Sequence, residues 1–404
     1  MRPNSRQTFF LLGALYLAQG LPFGFFTQAL PVMMRERGYS LEEISLTSIL
    51  ALPWALKFVW APLVDRFGNA RIGRRKSWIL PLQAATVLVV AGAGFLDPSS
   101  LGPVLCVIFA VNFLAATQDI ATDGLAVDLL RPRANGIQVA GYRVGMVIGG
   151  GALLVAFSRI GWTATFAVMA AIIALTSLPV LFTREPEKAR ETRGARFEAP
   201  ANGLPHFIRT PGAMGLLLIV MVYKSGDALA TAMIRPLLVD MGLGMEEIGS
   251  LLGISGFIAG MLGAVVGGAL VSRLGRRKSL LVFGVFQAFA VGSYWFVANG
   301  TIDPVMLYTI TALEHFAGGT ATAALFTCMM DWTRPNAAAS DYTVLASAVV
   351  IATGFASTFS GFLAAAIGYS NHFLLSGALA LAAVGMVAVM TEGSGIHIRL
   401  RRSA

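Results

Sequence analysis

The chain has 404 residues, 13% of them charged and 56% apolar, with a mean hydropathy of +0.72. Soluble domains carry roughly 25% charged residues, so this composition excludes a soluble enzyme or binding module and indicates an integral membrane protein. A formal net charge of +9 would suit a nucleic-acid partner, but the placement of the basic residues excludes one.

Apolar runs long enough to cross a hydrocarbon core of roughly 30 Å recur from one end to the other. Twelve spans are predicted, over residues 9–34, 41–64, 77–96, 103–130, 134–158 and 161–183, then 211–240, 246–271, 279–298, 304–332, 339–367 and 370–392. The first run contains Pro22 and Gln28 and is followed by Arg35 rather than a small-residue cleavage site, so it reads as a retained helix and not a removed signal peptide. With the N-terminus inside, 23 Lys and Arg residues fall in inner segments and three, Arg35, Arg37 and Arg159, in outer ones. This asymmetry predicts that both termini are cytoplasmic. The stretch Arg184 to Thr210 carries Pro186, Pro200, Pro205, four Glu and six basic residues, and reads as a linker. The predicted organisation is therefore an all-α membrane protein with a six-helix bundle over 1–183, a cytoplasmic linker over 184–210 and a second bundle over 211–404.

The halves are copies. Gly-Arg-Arg-Lys-Ser occurs at Gly73 to Ser77 and Gly275 to Ser279, Asp-x-x-Arg-Pro at Asp128 to Pro132 and Asp331 to Pro335, and Glu-Glu-Ile at Glu42 to Ile44 and Glu246 to Ile248. A near-constant offset of half the chain, in a sequence this apolar, points to a transporter of two pseudo-symmetric halves. Glycines at four-residue spacing, Gly141, Gly145 and Gly149, then Gly256 with Gly260 and Gly263 with Gly267, predict close helix approach.

Asp65-Arg66-x-Gly68 followed by Gly73-Arg74-Arg75-Lys76, and Ser272-Arg273-x-Gly275-Arg276-Arg277-Lys278, resemble the loop signature G-x-x-x-D-R-x-G-R-R-K of the major facilitator superfamily. Such a loop acts as a cytoplasmic gate: Asp65, Arg66, Arg74, Arg75, Arg273, Arg276 and Arg277 form a latch, with Asp128 and Asp331 at the inner helix ends as partners.

Charges far from any loop are expensive in a bilayer and mark function. At about 1.5 Å per residue, Asp119 and Asp123 lie roughly 18 and 12 Å from the inner end of helix four. Arg143, at the same depth on helix five, is the expected counter-ion, which leaves one acid free to exchange a proton. Helix seven carries Lys224 and Asp227, helix ten Glu314 and His315, and helix two Lys57. Asp119, Asp123, Glu314 and His315 are the proton-coupling candidates. Gln19, Phe23, Phe26, Gln28, Trp54, Lys57, Arg143, Lys224 and Asp227 are the substrate-binding candidates. Cys106 and Cys328 stand singly, so neither a metal site, a disulfide nor a cofactor is expected, and no HExxH or GxSxG motif suggests an enzyme.

Gln19-Gly-Leu-Pro-Phe-Gly24, Lys57-Phe-Val-Trp-Ala-Pro-Leu-Val-Asp-Arg66, Gln118-Asp-Ile-Ala-Thr-Asp-Gly-Leu-Ala-Val-Asp128 and Gly141-Tyr-Arg-Val-Gly-Met146 resemble the AmpG-like permease family. Within it, the compact length and the Gln19 to Pro31 stretch look closest to the RhtX/FptX-type siderophore permeases. The resemblance implies a monomeric importer of the bacterial inner membrane, proton-coupled and working by alternating access, with a ferric siderophore as cargo. The alternatives are a muropeptide, as in AmpG-type permeases, and a non-transporting membrane sensor.

The charge asymmetry yields a direct test of orientation. In whole cells, a membrane-impermeant thiol reagent should label Asp97→Cys, Asp303→Cys and Tyr369→Cys, and should label Arg193→Cys only after the membrane is permeabilised. Labelling of position 193 in intact cells would invert the assigned topology.

Overall fold

In the computed structural model the described residues are 5–69, 71–130, 134–183, 207–208, 212–300, 303–333 and 338–393, and every regular element among them is a helix. Eight of these helices are long and apolar enough to cross a membrane. Two of the eight turn back at a glycine. The first runs as Ala134–Val147 (α7), a π-helical turn Ile148–Ala152 and Leu153–Phe182 (α8), and breaks at Gly161 with φ 76°. The other is Ala338–Gly393 (α16), which breaks at Gly368 with φ 77°. Both angles belong to the left-handed region that L side chains avoid, so glycine lets the chain reverse with almost no loop. With these divisions the predicted twelve passes are consistent with the structure.

The remaining spans are Ser5–Glu36 (α1), Lys76–Ala93 (α5) and Leu101–Leu130 (α6). They continue with Ala213–Tyr223 (α9) and Ser225–Asp240 (α10), then Met245–Ile248 (α11) leading through a π-helical stretch into Phe257–Leu274 (α12). Arg276–Gly292 (α13), Tyr294–Asn299 (α14) and Pro304–Trp332 (α15) complete the set. The second predicted span is broken into Leu41–Leu46 (α2), a 3-10 turn at Thr47–Ala51, Leu52–Leu56 (α3), a second 3-10 turn at Lys57–Val59 and Ala61–Arg66 (α4). A proline stands in the first turn of α3 and another in that of α4, where the missing N–H costs nothing but the preceding helix cannot continue through it.

The repeated motifs have local structural reasons. In Gly-Arg-Arg-Lys-Ser the glycine takes positive φ, 117° at Gly73 and 80° at Gly275, and turns the chain into the next helix. Ser77 N–H then donates to Gly73 O at 2.9 Å and Ser279 N–H to Gly275 O at 3.1 Å. In Glu-Glu-Ile the second Glu caps its own helix: Glu43 Oε2 accepts from Ser40 N–H and Glu247 Oε2 from Gly244 N–H, both at 2.9 Å.

Two compact units form. One gathers residues 1–31, 50–199 and 244–254, the other residues 32–49, 200–243 and 255–404, so each unit takes in a short piece of the opposite sequence half. In the first unit Arg159 pairs with Glu246. In the second, Arg35 grips both oxygens of Asp240, at 2.6 and 2.7 Å, while Tyr369 OH donates to the same carboxylate at 2.7 Å. Two of the three basic residues expected in outer loops are therefore neutralised by acids from the other half of the sequence.

Glycine sets the helix spacing inside each unit. A Cβ at Gly141, Gly145 or Gly149 would meet the α1 carbonyl oxygens of Gly13, Leu17 and Leu21 at 2.9, 2.3 and 1.9 Å. In the second unit, Cβ atoms at Gly263 and Gly319 would meet the carbonyl oxygens of Phe316 and Gly260 at 2.1 and 2.2 Å, which closes α12 against α15. Gly145→Ala must therefore push α1 and α7 apart and should cost about 1–3 kcal/mol, read as lower folded yield and melting temperature in detergent. Gly92→Ala on α5, where nothing lies within 4 Å, should behave as wild type. Equal stability of the two variants would remove the packing argument.

Candidate functional site

The break in the second span puts Lys57 at the end of α3, where the helix tightens into a 3-10 turn. Its ammonium pairs with Asp119 on α6, whose residue exposure is 4%. One turn further along α6, Asp123 Oδ1 accepts a 2.7 Å hydrogen bond from Tyr16 OH on α1. Between the acids, Thr122 Oγ1 accepts from Gln19 Nε2 at 3.3 Å. Two carboxylates thus share one face of α6 beside the Lys57 ammonium, and the second also accepts from a phenol. Such a carboxylate can hold or release a proton without breaking the ion pair beside it.

Aromatic side chains wall this cluster. Phe23, Trp54 and Tyr142 stand with ring centroids 5.9 to 6.2 Å apart, and all three are partly exposed. The Lys57 ammonium lies 5.6 Å from the centre of the Trp54 ring, a cation–π distance. Trp54 is fixed by donating to Asn112 Oδ1 at 2.9 Å, and Trp60 by donating to Thr117 Oγ1 at 3.2 Å.

The second unit repeats the device at another break. Helix α9 stops at Lys224, and its ammonium sits 2.7 Å from Asp227 Oδ2 in the first turn of α10. On α15, His315 Nδ1 lies 2.6 Å from Glu314 Oε2 and 3.0 Å from Thr311 O, while the Thr311 hydroxyl is 3.0 Å from Tyr294 OH. Arg235 is within electrostatic reach of Glu314.

Several expectations change. The counter-ion of Asp119 is Lys57, because the broken second span carries the lysine to helix four; Arg143 makes no ion pair with either acid among the described residues. Phe26 is 6% exposed and packs on Phe25 and Phe166, inside an aromatic cluster that also holds Trp162, so it is core rather than a ligand wall. Gln28 lies against α7's continuation, its Cγ 2.7 Å from a Cβ placed at Gly150. In the loop motif, Arg276 pairs with Asp331 at 2.6 Å. Arg75 is 5% exposed and covers Gly124, Arg74 covers Gly68, Arg277 is half-buried, and Arg273 is exposed. The side chains of Asp65, Arg66 and Asp128 lie outside the described residues, as does nearly all of the 184–210 segment. Tyr16, Asn112 and Tyr142 join the site without having been singled out. Tyr142 stands inside a motif noted in the sequence, whereas Tyr16 is 107 residues from its partner and carries no local signal.

The Major Facilitator Superfamily model matches the chain over residues 12–313 and 227–396. The anhydromuropeptide permease of Escherichia coli (strain K12) is 29% identical over 381 residues, covering 92% of this chain and 77% of that protein. The putative transporter AmpG 4 of Rickettsia felis is 29% identical over 391 residues, covering 93% and 94%. Among solved structures, a bacterial homologue of the human lysosomal transporter Spinster, inward-facing and unoccupied, superposes with a TM-score of 0.70 at 17% identity, covering 96% of each chain. The nucleoside transporter NupG superposes with a TM-score of 0.69 at 12% identity, covering 95% of this chain and 99% of that one. Helical spans in duplicate, charges held at helix breaks inside them and a family match running nearly end to end converge: the chain belongs to the Major Facilitator Superfamily of multi-pass membrane transporters.

Proposed function

We propose that the protein imports an anhydromuropeptide across the bacterial inner membrane by alternating access, driven by protons. It works as a monomer with both termini in the cytoplasm, built of bundles 1–183 and 211–404 joined by the 184–210 linker. The observation that carries this reading is the constellation of Lys57, Asp119 and Asp123 beside the partly exposed rings of Phe23, Trp54 and Tyr142. A sugar bearing a peptide presents apolar ring faces and carboxylates together. Aromatic rings accommodate the first and a lysine ammonium the second. Asp123, bonded to a phenol, is the acid best placed to cycle a proton, and Asp119 positions Lys57. The 29% identity to an anhydromuropeptide permease over 92% of the chain supports this cargo. The ferric-siderophore reading suggested by the Gln19 to Pro31 stretch finds no such support among these relatives, which favour the alternative cargo.

Energised right-side-out vesicles should concentrate a labelled anhydromuropeptide, and a protonophore should abolish the accumulation. Asp123→Asn should lose concentrative uptake while retaining exchange. Lys57→Met should destabilise the protein by about 3–5 kcal/mol because Asp119 is left buried and unpaired. Adding Asp119→Leu should recover folding without recovering transport. Concentrative uptake of a ferric siderophore with none of the anhydromuropeptide would overturn the cargo assignment, and normal accumulation by Asp123→Asn would overturn the coupling role.

A further inference from the structure

Away from the Lys57 cluster, two side-chain atoms of the second unit lie near one point, each without a hydrogen-bond partner among the described residues. Gln287 on α13 is 2% exposed, and its Nε2 has no hydrogen-bond acceptor among the described residues. Asp227 on α10 holds Lys224 through Oδ2 at 2.7 Å, which leaves its buried Oδ1 with no donor among the described residues. Both orphaned atoms border the position where α15 carries Gly318. A Cβ there would lie 3.7 Å from Gln287 Nε2 and 3.8 Å from Asp227 Oδ1, so the missing side chain leaves room beside a donor and an acceptor supplied by different helices. Gly318 itself is partly exposed.

Buried polar groups are almost always satisfied, and two that face the same space call for one occupant that serves both. The local charges select its chemistry. An ammonium or metal cation would be repelled by Lys224, whose own ammonium already neutralises Asp227. A carboxylate or phosphate would be repelled by Asp227. A neutral hydroxyl fits both: its oxygen accepts from Gln287 N–H and its hydrogen is donated to the Asp227 carboxylate.

We propose that the void at Gly318, bounded by Asp227 Oδ1 and Gln287 Nε2, is a hydroxyl-binding site, filled by water in the empty carrier and by a hydroxyl of the cargo in the loaded one. The cargo half of this statement rests on the anhydromuropeptide reading, whereas the site itself does not. Glycine at 318 is then required because any side chain would take the occupant's place.

Gly318→Ala and Gly318→Ser, each in the full-length protein, separate these contributions. Both gain helix propensity, but only serine brings its own hydroxyl to the void. In detergent, Gly318→Ser should melt at least about 2 °C above Gly318→Ala. In vesicles its KM for the anhydromuropeptide should rise roughly tenfold, the loss expected for a displaced hydrogen bond, with kcat little changed. The higher melting point with an unchanged KM would support the site as a water site and overturn its use by cargo. Equal melting points for the two variants would overturn the site, and stabilisation of the wild type by sodium but not by choline would overturn a neutral occupant. Gln287→Met gives a second reading. If Nε2 is satisfied by a bound hydroxyl, the substitution lowers the melting temperature; if it stays the same or rises, the donor was unpaired in the working protein and the proposal fails. Should the wild type carry no anhydromuropeptide at all, the functional reading falls, while the melting comparisons still decide the site.

Discussion

Placing an ammonium and two carboxylates in the middle of a chain as apolar as this one is the constraint on which the rest of the structure turns. A lone charge at that depth is costly, and a charge pair is tolerated only when its geometry is good and its remaining hydrogen-bonding capacity is met. The first unit meets this requirement by breaking its second span around two prolines, so that Lys57 reaches Asp119 on α6. The second acid is met by a phenol, Tyr16, from α1. The second unit breaks between α9 and α10 and pairs Lys224 with Asp227 across the break. In both units irregular backbone occurs where charge must be accommodated, as expected if non-helical backbone at membrane depth is tolerated only around a polar interior.

The glycine seams make this arrangement possible. Side chains that reach across to a neighbouring helix need that helix close, and in a lipid-soluble protein no hydrophobic force drives helices together. Close approach must come from backbone contact. Gly141, Gly145 and Gly149 let α7 rest directly on the carbonyls of α1, and Gly263 does the same for α12 on α15. The first seam carries Tyr16, Gln19, Phe23 and Tyr142 on its two helices. The second carries His315 so close that a methyl at Gly256 would lie 2.8 Å from its Nε2. Packing and chemistry are therefore set by the same residues, and substitutions in the seams should disturb both.

The segments exchanged between the compact units add a different kind of link. Arg35 with Asp240 and Tyr369, and Arg159 with Glu246, are pairings between the two sequence halves, each satisfied inside one unit. Their acids are more exposed than Asp119, with side chains 32% and 42% accessible against 6%, and such pairs are individually weak.

Much was legible from the sequence because it is encoded locally. All-helical membrane character, the duplication, the helix-capping Glu-Glu-Ile repeat and the turn in Gly-Arg-Arg-Lys-Ser each depend on a few consecutive residues and on hydrophobic length. Depth in the membrane follows from counting along a helix, so Asp119, Asp123, Lys57, Lys224, Asp227, Glu314 and His315 could be singled out as intramembrane charges. Partnership could not. Lys57 and Asp119 are 62 residues apart, and Tyr16 and Asp123 are 107 apart. Which of Lys57 and Arg143 reaches the acids depends on a helix break whose rotation no periodicity records. The orphaned atoms of Gln287 and Asp227 at Gly318 belong to the same class: Gln287 carries no local signal, Asp227 signals only its charge, and only the convergence of α10, α13 and α15 places a donor, an acceptor and an absent side chain around one point.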